Sequence, residues 1–164
     1  MTRPFALLAT AMLLATIAGC GFQLRGTPQL PESMSTTYLE IPDRDSLLAR
    51  KLERQLRGAS ISLTDNRDAA GGVLEIHRED SGQRVLSVTA TGGPEEYEVF
   101  HNVDFSWRGD DGATLDRETL SLTRDYTFDR NDVLGKQREY DSLRNALAEE
   151  LAAQMIRRLA LAAR

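Results

Sequence analysis

The stretch that decides the fold is Glu96-Tyr97-Glu98-Val99-Phe100-His101-Asn102-Val103-Asp104-Phe105-Ser106-Trp107-Arg108. Tyr97, Val99, His101, Val103, Phe105 and Trp107 fall on one face, and Glu96, Glu98, Phe100, Asn102, Asp104, Ser106 and Arg108 fall on the other. Successive side chains of a strand point to opposite faces, so this period of two predicts a half-buried antiparallel strand. Upstream, Gly92-Gly93-Pro94 breaks the chain. Before that break, Gly71-Gly72 opens a second alternating run. It sets Leu74 and Ile76 against Glu75 and His77, and continues through Leu86, Val88 and Ala90. Ser81-Gly82 is expected as a turn or bulge within it. Downstream, Asp110-Asp111-Gly112 turns the chain. In the next strand Leu115 is odd-numbered, whereas Leu120, Leu122, Tyr126 and Phe128 are even. Such a change of parity predicts a bulge or break near Arg117-Glu118.

Shorter elements flank these strands. Tyr38-Leu39-Glu40-Ile41 reads as a strand stopped by Pro42. Leu48, Leu52 and Leu56 recur every fourth residue, with Leu47 beside them, so residues 45–57 form an amphipathic helix. Asp43 or Asp45 is placed to cap it, and Gly58 ends it. Ile61 and Leu63 mark a further short strand, followed by a polar loop through Asp65-Asn66-Arg67-Asp68. Residues 129–136 are expected as a loop or single helical turn. Leu143, Leu147, Leu151, Met155 and Leu159 then sit four apart, widened by Ala146, Ala152 and Ile156. This predicts a long helix over roughly 137–163, about 40 Å at 1.5 Å per residue. The expected fold is α/β (α+β): two helices packed on a mixed four- to five-stranded sheet, in the order β-α-β-β-β-α, as a two-layer sandwich. The first β-α-β is expected to be a parallel crossover.

The N-terminus reads as an address rather than as structure. Arg3 precedes an apolar run from Phe5 to Ile17, which ends in Ala18-Gly19-Cys20. Thirteen residues are too few to span a bilayer, which takes about 20, but they suit a signal-peptide core. An apolar residue, two small residues and a Cys resemble the lipobox of bacterial lipoproteins. Residues 1–19 are therefore expected to be removed, with Cys20 as the first mature residue, N-palmitoylated and carrying diacylglycerol on its sulfur. Several acyl chains, at about 0.8 kcal/mol per buried CH₂, make a lasting anchor. Gly21 follows the Cys; the absence of Asp there favours the outer membrane over the inner. Residues 20–36, with Pro28 and Pro31, read as a lipidated tether, and residues 37–164 as one domain.

Composition narrows the function. The chain has 164 residues, 41% hydrophobic and 27% charged, as in an ordinary globular domain. Residues 1–19 carry Arg3 and no acid, so their removal leaves 19 basic against 25 acidic side chains, net −6. This balance disfavours nucleic acid as a partner. One Cys excludes an internal disulfide, and one Cys with two His excludes a Cys/His zinc cluster. His101 reads as a packed core histidine and His77 as solvent-exposed. No nucleophile elbow or phosphate-cradling loop is present. Asp110-Asp111 reads as turn chemistry rather than a metal site. No enzymatic activity, metal or cofactor is expected.

Several stretches in order resemble the LPS-assembly lipoprotein family, LptE. They are Cys20-Gly21-Phe22-Gln23-Leu24-Arg25-Gly26, Arg54-Gln55-Leu56, Glu96-Tyr97, Phe128-Asp129 with Lys136, Glu139 and Asp141, and Ile156-Arg157-Arg158-Leu159. The resemblance runs through nearly all of residues 17–160. It implies a non-enzymatic outer-membrane lipoprotein, anchored on the periplasmic side. Such a protein plugs and helps assemble the LptD barrel, forming the translocon that inserts lipopolysaccharide into the outer leaflet. Barrel lumens are polar, so a plug needs a polar exterior. Lipopolysaccharide carries phosphates, so basic side chains are its expected contacts. The family's basic position before the last helix corresponds to Lys136, beside Gly135 and near a helix N-terminus that favours anions. One departure is the loop Thr89-Ala90-Thr91-Gly92-Gly93-Pro94, which holds no cation where some members carry Arg; the nearest base is Arg84. The lipopolysaccharide contact is then either redistributed here or weak. A different class remains open: a free-standing periplasmic lipoprotein that binds a lipid or cell-wall ligand, which would need an accessible apolar pocket.

Overall fold

The computed structural model describes Leu30 and residues 32–162. Cys20, the signal segment and most of the tether lie outside the described residues. The fold begins ahead of residue 37, because a 3₁₀ turn over Glu32–Met34 buries Met34 completely in the core. Strand β1 (Thr36–Glu40) follows at once. It lies between β2 (Ser62–Thr64) and β3 (Gly72–Val88), parallel to both. Antiparallel β4 (Pro94–Gly109) and β5 (Thr114–Thr127) complete a mixed five-stranded sheet in the order β2-β1-β3-β4-β5. Helix α1 (Leu47–Gly58) joins β1 to β2, and α2 (Val133–Ala162) ends the chain. Both helices cover one face of the sheet, so the two-layer α+β sandwich stands. The chain runs β-α-β-β-β-β-α, one strand more than the expected string, because Ser62–Thr64 and all three long strands pair separately.

The long alternating run is buried as read. Val99, His101, Val103, Phe105 and Trp107 face the helices, and the even-numbered residues face away. The change of parity in β5 is resolved by a bulge. Phe105 pairs with Glu118 and Trp107 with Leu115, so Asp116 and Arg117 together oppose Ser106.

Ser81-Gly82 is neither turn nor bulge. β3 runs through it without a break, and its irregularities fall at His77 and around Leu86 and Ser87 instead. Gly82 pairs with Phe100, and a Cβ there would stand 3.2 Å from the tip of the Phe100 ring. The glycine serves a close approach within the sheet, which a sequence pattern cannot distinguish from a turn.

The helix ends also differ from expectation. Ser46, not Asp43 or Asp45, caps α1: its Oγ accepts from the Ala49 amide at 3.0 Å. Asp43 instead accepts from the Asp45 amide at 2.9 Å, turning the chain just ahead of the cap. Beyond Gly58 the chain leaves the helix through Ser60, whose φ of 65° is left-handed, and the Ile61 amide returns to the Leu56 carbonyl. Helix α2 starts at Val133 and so takes in Gly135, ahead of the expected start. Its 30 residues reach about 45 Å. Asp132 causes the early start, because its Oδ1 accepts from the Gly135 amide at 3.0 Å. Along α2 the buried stripe is Leu147, Leu151, Met155 and Leu159, widened by Ala148, Ala152, Ile156 and Ala160. Ala146 is exposed; its place in the stripe is taken by Ala148, one position beyond Leu147.

One core fills the space between sheet and helices, from Met34 and Trp107 at one end to Ile76 and Leu151. A second, smaller cluster joins Val99, Tyr126 and Leu147, with Tyr97, Tyr140 and Leu143 packed around it. The two helices are clamped to each other at Glu149. Gln55 Nε2 donates to it at 2.9 Å, and Arg54 and Lys51 reach it at 3.0 and 3.1 Å. Among the described residues no helix is long and apolar enough to cross a membrane.

Candidate functional site

Two surfaces stand out, and the fold makes both. The first is the open face of the sheet, which no helix covers. Because β4 alternates strictly, every second side chain is delivered to this face, and the neighbouring strands supply partners by register. Asp104 accepts from Arg117 at 2.6 Å and from Thr119 at 2.8 Å. The Arg117 bond, then that of Thr119, holds the Asp104 carboxyl below the usual carboxylate range. Arg84 pairs with Glu98 and lies over the Phe100 ring, 5.6 Å from its centroid. His77 also faces this side, but it is not freely solvated. Its Nε2 lies 2.8 Å from Ser106 Oγ and its Nδ1 3.1 Å from Glu75 Oε1, because the bulge sets it against Ser106. The face is therefore polar and crossed by hydrogen bonds from strand to strand.

The second surface is one end of the molecule, where the β3–β4 hairpin tip, the end of β5 and the start of α2 meet. The tip closes with the Thr89 amide donating to the Gly93 carbonyl at 2.8 Å, and Gly92 takes a φ of 81°. Tyr97 stacks on Tyr126 and meets Phe128 edge-on, each at 5.6 Å between centroids. These rings hold the hairpin against the chain entering α2. The Arg130 guanidinium consequently lies on Gly93, in the space a side chain there would need. Of the six large apolar side chains most exposed among the described residues, five gather at this end: Val85, Leu86, Val88, Val133 and Leu134. An exposed apolar cluster of this kind marks an interaction surface.

The candidate cations are distributed around that end. Lys136 lies in the first turn of α2, largely shielded, with Nζ 2.8 Å from Glu139 Oε2. The helix N-terminus beside it is already occupied by the Asp132 carboxylate. Arg84 approaches the same end from the opposite face of the sheet, so the structure does not bring Arg84 and Lys136 together. The cation that sequence reasoning missed is Arg130. Nothing in its local pattern marks it, because its position over Gly93 comes from residues far apart in sequence.

The remaining polar groups have structural partners. His101 is buried, with Nε2 3.0 Å from Glu79 Oε1. Asp111 closes its turn by accepting from the Ala113 amide at 2.9 Å. Among the described residues no group of three or more His, Cys, Asp or Glu side chains could hold a metal ion. Among the described residues a cleft of about 820 Å³ is lined mainly by charged and polar residues, including Asp43, Arg50, Glu79, Asp141 and Arg144.

The sequence and the fold both have known relatives. Residues 34–159 match the family model described as LptE, Lipopolysaccharide-assembly. A relative from Pectobacterium atrosepticum, named LPS-assembly lipoprotein LptE, is 30% identical over 162 residues, covering 96% of this chain and 85% of its own length. One of the same name from Photorhabdus laumondii is 27% identical, covering 93% and 82%. Among solved structures, lipoprotein B from Nitrosomonas europaea shares the fold with a TM-score of 0.69 at 23% identity, covering 84% of this chain and 88% of its own. The rare lipoprotein B from Shewanella oneidensis does so with a TM-score of 0.66 at 23% identity, covering 76% and 93%.

Proposed function

Since the chain belongs to the LptE lipopolysaccharide-assembly family, we propose that it acts as the lipid-anchored plug and assembly partner of the LptD barrel in the outer membrane, without catalysing a reaction. The observation that carries this reading is the uncovered sheet face. Its long side chains satisfy one another across β3, β4 and β5, so the face is rigid and polar without a covering layer. A barrel lumen is polar, and such a face can lie against its wall without burying an unpaired charge. Cys20 is the proposed lipid-attachment residue, tethering the domain to the periplasmic side of the membrane.

Lipopolysaccharide contact is assigned to the end where exposed apolar residues meet cations. Val88, Val133 and Leu134 offer surface to acyl chains, and Arg130 and Lys136 offer charge to phosphates. Arg84, held by Glu98 on the other face, takes a secondary part. Arg130 supplies at the hairpin tip the cation that the Thr89–Pro94 loop lacks, which supports redistribution of the contact rather than its loss. The alternative of a free-standing carrier of a lipid or cell-wall ligand is disfavoured, among the described residues, by a filled core and by the polar lining of the cleft between α1, β3 and α2.

Co-purification from detergent-extracted outer membranes tests the plug reading. A large barrel protein should accompany the chain under mild conditions, and its absence would overturn the reading. The anchor is tested by Cys20→Ala, which should abolish labelling with radioactive palmitate; persistent labelling would refute the lipobox.

A further inference from the structure

We propose that the free edge of β3 takes an added strand from the surrounding barrel, an extended segment carrying Lys or Arg where it crosses the adjoining cleft. This rests on the plug reading above. β1 covers only the first residues of β3, pairing Thr37–Glu40 with Gly72–Glu75. Pro42 then turns the chain away into α1, and the sheet order gives β3 no other neighbour on that side. From His77 onward the outward backbone groups of β3 therefore lack a strand partner, while the same residues stay paired to β4 on the inner side. Between its two irregularities, Arg78 to Val85 keep one unbroken register with Asp104 to Tyr97. That is a regular template about 26 Å long, at 3.3 Å per residue.

Proteins blunt such edges with charged side chains, Pro or a covering element, because an open edge pairs with any available strand. Arg78 to Val85 contain no Pro, and their four charges are engaged within the fold: Arg78 with Asp80, Glu79 with His101 and Arg84 with Glu98. At the end of this run Val85 and Leu86 are about half exposed, side by side. β5 forms the sheet's other outer edge and also has no strand neighbour there, although Arg124–Glu150 at 2.8 Å and Glu118–Arg158 at 3.6 Å tie its inner face to α2. What sets the β3 edge apart is the acidic cleft that runs beside it.

Charge selects the occupant. The large cleft runs alongside this edge at Glu79–Ser81, bounded across it by the start of α1 and the middle of α2. Asp43, Asp45 and Asp141 line it with no ion-pair partner among the described residues. Of its two guanidiniums, Arg50 is turned to the Asp45 carbonyl and Arg144 lies over the Tyr140 ring. The net field is negative, so a strand laid along β3 is favoured when its cleft-facing residues are cationic. Strand addition draws affinity from main-chain hydrogen bonds and specificity from alternate side chains, and this edge and cleft supply one of each.

Hydrogen exchange on the full chain, free and in the barrel complex extracted in mild detergent, tests the proposal. In the free protein, alternate amides of residues 78–85 should exchange fast and the others slowly. In the complex the fast set should slow by about tenfold or more, giving protection at every residue. If the barrel is present and the fast set stays fast, strand addition is overturned and the plug reading survives. If no barrel accompanies the chain, both fall. The double variant Asp45→Lys, Asp141→Lys changes exposed, cleft-lining side chains only. It should lose that protection while the free protein's exchange is unchanged; retained protection would overturn the cationic assignment.

Discussion

Arg130 lies over Gly93, filling the space that any side chain at position 93 would need. The contact joins the hairpin tip to the segment leading into α2 and places a guanidinium where the tip itself has no cation. Gly93→Ala should displace Arg130 and lower lipopolysaccharide retention in a pull-down. Arg130→Glu should lower it further, by about tenfold for the loss of one charge-assisted contact. Both variants should melt close to the parent, since Arg130 is exposed. Undiminished retention in Arg130→Glu would remove this residue from the site.

Lys136 tests a different element of the same end. Its Nζ is engaged by Glu139, so an anion must compete with that carboxylate. Lys136→Glu should weaken lipopolysaccharide binding, whereas Glu139→Gln should strengthen it by releasing the ammonium. Equal binding by all three proteins would show that Lys136 serves only the helix surface.

Glu149 predicts the acid limb of stability. The Gln55 hydrogen bond first, then Lys51, holds its carboxyl below the ordinary value, against a smaller opposing effect of burial. A carboxyl with a lowered folded pKa stabilises above its unfolded value, and that contribution is lost as pH falls through the folded value. Glu149→Gln should thus be less stable than the parent at pH 7. The gap should shrink as pH drops below about 4.3, the unperturbed value. Urea unfolding at pH 7 and pH 3.5 measures it; a gap that is constant with pH would contradict the assignment.

Gly72 predicts a purely steric cost. A Cβ there would stand 2.7 Å from Trp107 Cζ2, and Trp107 is itself buried. Overpacking of this kind costs about 1–3 kcal/mol. Gly72→Ala should lower the urea midpoint with an unchanged m-value. An unmoved midpoint would mean that the indole shifts freely.

Much of the fold was legible because period and parity survive in one dimension. The alternation from Tyr97 to Trp107 located the central strand and its buried face. The odd-to-even change after Leu115 located the β5 bulge to within a residue or two. Leucines four apart located both helices. Features that depend on a distant neighbour were misread. Gly82 looked like a turn because the Phe100 ring above it is 18 positions away in sequence. His77 looked solvated because the bulge that brings it to Ser106 has no local signature. The early start of α2 is different: it is a local effect of Asp132 capping Gly135, which the period of the leucines does not contain.

The candidate site divides in the same way. Sequence alone carried the lipobox resemblance, the family resemblance and the acidic balance, since these depend on residue type and order. Only the tertiary structure decided that Arg84 and Lys136 lie on opposite faces, that Arg130 reaches the hairpin tip, and that β3 keeps a bare edge beyond β1. The reason is physical: covalent order sets which side chains alternate or recur. Strand register and helix docking, driven by burial of the core between them, set which of those side chains meet.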